Sequence, residues 1–138
     1  MTAYELLWAM ATEDHPELEA QYRLVSDIEP AVTTAAAAYN KHYVRGDFDA
    51  DREADYALVV APVGSEGYCV LALLTRGKGS KVVKVSCGAQ GRPGAVTLAV
   101  TKGSRPRRDT LIVTPEDAPS LRFEWRSASE GFHEIQRR

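Results

Sequence analysis

The spacing of apolar and polar positions changes character near residue 56. Before it the period is helical. Residues 3–11 set Leu6, Leu7, Met10 and Ala11 on one side with Trp8 beside them, which predicts a short helix. Pro16 interrupts that pattern, and residues 17–25 resume it with Leu18, Tyr22 and Val25. The best helical signal starts at Asp27, which suits an N-cap, with Glu29 and Pro30 in the first turn. Ile28, Val32, Ala35, Ala36, Tyr39 and Tyr43 then share one face, and Gly46 marks the end.

From Tyr56 onward the pattern is that of strands. Residues 56–63 are continuously apolar, as in a strand buried on both faces. Residues 68–76 and 80–89 flank Gly77-Lys78-Gly79, read as a three-residue hairpin loop. Further strands are predicted over 95–102, 110–114, 121–126 and 132–136. Short turns between them imply an antiparallel meander. The expected fold is α+β: N-terminal helices packed on one antiparallel sheet of about five to seven strands. Residues 1–138 are expected to form a single domain: a helical part (1–46), a loop (47–55) and a sheet (56–138).

Folding the predicted hairpin about Lys78 places Cys69 opposite Cys87, Leu71 opposite Val85 and Leu73 opposite Val83, all on one face. Facing positions are close enough for a disulfide. A bond favours an oxidising compartment, periplasmic or secreted; free thiols in the core would suit the cytoplasm. A one-residue slip would separate the pair.

Composition is ordinary for a soluble globular chain, with 44% hydrophobic and 26% charged residues. No run of eighteen apolar residues predicts a membrane span. Charge is unevenly placed. Residues 1–55 carry 12 acidic and 4 basic side chains, a balance of −8; residues 56–138 carry 7 and 13, a balance of +6. This implies either mutual attraction between the two halves or two differently charged surfaces.

The most specific chemistry lies in the loop. Asp47, Asp49, Asp51 and Asp55 occupy positions one, three, five and nine of 47–55. Calcium takes six to eight oxygen ligands, and alternate carboxylates can converge on one ion. The expected ligands are these four aspartates and the backbone carbonyl of Glu53. The loop with its following strand resembles the D-x-D-x-D-G-x-x-D loop of FG-GAP repeats, and its first half is similar to dockerin and EF-hand loops. One copy, about a tenth of the chain, does not imply a multi-repeat propeller. The wider layout resembles that of small uncharacterised bacterial exported proteins. This chain has Arg52 where the family has glycine for its sharp turn, and Ala50 at a second frequent glycine position. The alternative is an acidic loop held by hydrogen bonds and neutralised by Arg52, without metal.

The other basic feature is the segment 102–108, where Lys102, Arg105, Arg107 and Arg108 are candidates for binding a protein partner, with Lys78, Lys81 and Arg92 as additional charge. Stacking aromatics and a nucleic-acid module are missing from it, which argues against nucleic acid. His15, His42 and His133 lack metal-ligand spacing and are expected at the surface or core edge. Ser65 lacks the strand–turn–helix setting of a nucleophile elbow, and Gly77-Lys78-Gly79-Ser80 lacks that of a phosphate loop. The functional expectation is a non-catalytic exported binding protein, an inhibitor or immunity protein for a toxin or enzyme. The alternatives are a structural calcium-binding module of an envelope assembly and a small hydrolase. The partner's identity and the oligomeric state are not written in the sequence.

Overall fold

The computed structural model describes residues 2–25, 42–102 and 108–135. Among them are two antiparallel sheets with a few helices. The N-terminal helix α1 spans Ala3–Asp14 and begins with a capping box: Thr2 accepts the Glu5 N–H, and Glu5 reaches back to the Thr2 N–H. Its buried face is Tyr4, Leu7 and Ala11; Leu6 and Met10, expected on the inner stripe, are 51% and 56% exposed. Tyr4 decides the rotation. Its hydroxyl donates to the Val59 carbonyl and accepts the Val25 N–H, so two buried backbone groups are satisfied only with this face inward.

The second helix, α2, is only Leu18–Gln21, and Tyr22–Leu24 continues as strand β1. The long helix expected from Asp27 falls mostly outside the described residues. Its expected last turn is strand: Tyr43–Gly46 forms β2. The aromatic and β-branched pair Tyr43 and Val44 suits a strand better than a helix end. Strands β3 (Asp55–Pro62), β4 (Tyr68–Arg76) and β5 (Gly79–Gly88) complete the first sheet. β3 is central and almost wholly buried, as its unbroken apolar run predicts. One edge of β3 pairs with β4; β1 and β2 divide the rest, β1 along residues 60–62 and β2 along 55–58.

The β4–β5 hairpin departs from the expected register. Its loop is two residues, Gly77-Lys78, with Gly77 at φ +60 where such a tight turn needs glycine. Leu71 therefore faces Lys84 and Leu73 faces Val82, not Val85 and Val83. A register shift at Val70/Leu71 takes up one extra residue on β5, Val85, and returns the pairing to Cys69 with Cys87. The two errors cancel at the cysteines.

The chain then crosses through a short 3₁₀ turn, Pro93–Ala95, into a second sheet of β6 (Thr97–Thr101), β7 (Thr110–Thr114), β8 (Leu121–Arg126) and β9 (Gly131–Glu134), in sequential order. The strand segments after Tyr56 are thus close to those predicted, but they build two sheets, not one. Buried side chains of both, from Leu58 and Val70 to Leu111 and Trp125, belong to one apolar cluster. His42, expected at the surface or core edge, is fully buried, its ring centred 5.7 Å from that of Tyr4 and tilted to it. No helix among the described residues is long and apolar enough to cross a membrane.

Candidate metal centre

The acidic loop runs from the end of β2 to the start of β3. Asp47 organises it. Its two carboxylate oxygens accept the N–H groups of Asp51 (3.1 Å) and Arg52 (2.9 Å), and Asp51 accepts that of Glu53 (2.9 Å). These bonds curl the loop, and the curl requires the left-handed backbone at Ala50 (φ +60) and Arg52 (φ +69). Ala50 and Arg52 thus both adopt a conformation that glycine takes without strain. Each costs about 1 kcal/mol relative to glycine.

The curl brings carboxylate oxygens of Asp47, Asp49, Asp51 and Asp55 within 4.8 Å of one another, so the cluster could hold a metal ion. Glu53 adds no carboxylate to it and is exposed. Asp55 is fully buried; its oxygens accept the N–H groups of Phe48 and Thr75, both at 3.0 Å. The side chain of Asp49 is 6% exposed. One of its oxygens meets the Arg76 guanidinium at 2.6 Å, while the other, Oδ1, is buried with no hydrogen-bond partner. A carboxylate oxygen in that state is strongly unfavourable unless a cation or proton meets it.

The charges respond to this crowding. Burial, then the neighbouring Asp49 charge, push the Asp55 carboxyl up to about 7, against the pull of its two N–H donors. Burial and the charges of Asp49 and Asp47 raise Asp51. Burial also acts to raise Asp49, but the Arg76 guanidinium, with the Asp51 and Asp55 carboxyls beside it, outweighs that and holds Asp49 below the usual carboxylate range. The internal countercharge is thus Arg76; Arg52 makes no ion pair with these aspartates and instead lines a neighbouring cavity.

The loop also reaches the second sheet. Asp47 and Asp109 are tied twice: the Asp47 N–H donates to the Asp109 carboxylate (2.8 Å), and the Asp109 N–H to the Asp47 carbonyl (2.9 Å). Phe48 is fully buried and stands edge-on to Phe132 at 5.7 Å, which in turn meets Trp125 at 5.5 Å. Thr75, Arg76 and Asp109 were not among the expected site residues. Thr75 and Arg76 had a signal: folding 56–63 onto 68–76 brings the end of β4 beside Asp55. Asp109 is distant in sequence and had none.

Of the expected partner-binding residues, Arg105 and Arg107 lie outside the described residues. Lys102 pairs with Asp109 at 3.2 Å, and Arg108 turns inward to donate to the Trp125 carbonyl at 2.6 Å. Cys69 and Cys87 face each other with Cα atoms 4.0 Å apart and sulfurs bonded; Cys69 is buried and Cys87 exposed. Ser129 meets His133 at 2.7 Å, but the contact closes the exposed turn before β9. No family model, curated protein or solved structure matches the chain.

Proposed function

We propose that this is a non-catalytic binding protein of an oxidising compartment, with calcium fixed in the acidic loop. One observation carries the metal reading: four carboxylates converge, and the buried Oδ1 of Asp49 has no hydrogen-bond partner. Arg76 supplies one positive charge against four acidic groups, which leaves room for a divalent ion. Asp47, Asp49, Asp51 and Asp55 would hold the ion, with the Glu53 carbonyl, as in the FG-GAP loop that 47–55 resembles. The cross-strand cysteine pair supports periplasmic or secreted placement.

The binding role, with an inhibitor or immunity protein as its expected form, is supported by the character of the surface. A cavity of about 790 Å³ is walled largely by turn residues from Pro62 to Gly67 and Ala89 to Pro93. Its Arg92 and Glu116 are bonded to each other and so are already engaged. A second reading, a structural calcium module, is favoured by the bonds from this loop to both sheets.

Calcium titration followed by calorimetry and thermal melting tests the metal reading. Added calcium is expected to raise the melting temperature and EDTA to lower it. Asp49→Asn and Asp51→Ala are expected to blunt the response while leaving the fold intact. Oxygen–metal distances of about 2.3–2.6 Å are expected in calcium-soaked crystals. A flat titration at millimolar calcium rules the site out.

A further inference from the structure

We propose that the cavity beside the acidic loop is an oxyanion site, built by Arg45, Arg52 and Lys102, that takes a sulfate, phosphate or carboxylate group. It goes beyond the calcium reading and does not require it. The cavity has a volume of about 400 Å³, and these three cations line it together with Asp47 and Glu53. Arg45 and Arg52 are exposed, and neither guanidinium is held by a carboxylate among the described residues. Lys102 is 82% exposed and contacts Asp109 at 3.2 Å, which leaves other ammonium donors free to turn outward.

Arg52 is the telling residue. It sits at φ +69, where glycine is unstrained. The turn does not need an arginine, because Asp47 holds it through backbone N–H groups. Nor does Arg52 neutralise the aspartates, a task that falls to Arg76. What arginine adds over glycine is an exposed cationic side chain at the wall of this cavity. Strained residues of this kind cluster at functional positions. Of the two lining carboxylates, Asp47 turns both oxygens back onto its own loop, so Glu53 is the opposing charge. Forked guanidinium groups match the paired oxygens of a carboxylate or phosphate, and two forks with an ammonium surround such a group.

The test follows the arginine Nε–H signals by NMR as sulfate, or separately a hexaglutamate peptide, is titrated into metal-free and calcium-loaded protein. Chloride at matched ionic strength is the control. Saturable shifts at Arg45 and Arg52 are expected with sulfate and peptide but not with chloride. Arg45→Gln and Arg52→Gly should each weaken binding roughly tenfold, and Glu53→Gln should tighten it. Arg52→Gly should also melt at a higher temperature, so its lost binding cannot be ascribed to unfolding. Peptide binding tighter than sulfate identifies an acidic protein segment as the source of the group; sulfate binding as tight or tighter identifies a free oxyanion. Absence of saturable shifts from both probes overturns the proposal, as does wild-type affinity in Arg52→Gly. The metal-free arm separates this result from any failure of calcium to bind.

Discussion

Asp55 joins burial to charge at a single residue. Its carboxyl titrates near 7 in the folded chain, against about 3.9 when unfolded. The folded state therefore holds a proton that the unfolded state has lost, and the metal-free protein should lose stability as pH rises from about 4 to 7. Above that window the contribution is flat. Calcium bound as proposed would compete with the same proton, so its stabilising effect should be larger at pH 8 than at pH 5. Melting curves across pH, with and without calcium, check both signs. Arg76 is the second residue to change. Arg76→Gln leaves Asp49 buried without its countercharge and should cost about 1–2 kcal/mol in EDTA, a value discounted because Arg76 is partly exposed. Saturating calcium should restore most of that loss. The convergence of the aspartates was legible in the sequence because a loop with carboxylates at alternate positions can curl them toward one point. Arg76 was not, because its role depends on where β4 ends in space.

At the scale of elements, the β4–β5 hairpin is bound by close contacts as well as by its disulfide. A Cβ on Gly88 would lie 2.4 Å from the Tyr68 ring, and one on Gly67 would lie 1.9 Å from the Gly88 carbonyl oxygen. Gly88→Ala should therefore destabilise by about 1–3 kcal/mol in chemical denaturation. Counting thiols in denatured, unreduced protein should find none from Cys69 and Cys87, because the register sets them face to face. The strands were legible because β-branched runs between glycine turns have one common reading. The turn length was not, since Gly77-Lys78-Gly79 fits a two-residue or a three-residue loop equally well. Tyr22–Leu24 and Tyr43–Gly46 were hidden for a different reason. They are short, and pairing with β3 overrides the local helical pattern there.

Across the whole molecule, the acidic loop is the joint between the sheets. Asp55 and Arg76 fix it to the first, Asp109 and Phe48 to the second. Phe48→Ala empties a fully buried site between them and should cost about 3–5 kcal/mol, read from denaturant midpoints. Calcium should stabilise that variant less than the parent, because the ordered loop loses its apolar anchor. The split into two sheets was not legible. Strand periodicity reports which residues lie in strands but not where a meander folds back on itself, and here the turn at Pro93–Ala95 makes that choice.

The unmatched residue of β5 behaves like a dislocation in a crystal row. Two points pin the row, the Gly77-Lys78 turn at one end and the cysteine pair at the other, and between them β5 carries one residue more than β4. Almost every β5 side chain is only half-buried, so no deep pocket fixes the defect at Val85. The expected consequence is that it glides along the strand by shifting one pairing at a time, while both pins hold. Amides across 80–86 should accordingly exchange with deuterium faster, and more evenly, than those of β3. Deleting Val85 removes the defect yet leaves Cys69 opposite the second cysteine, so the shortened chain should keep its cross-link, and the β5 amides that face β4 should exchange slowly along the strand.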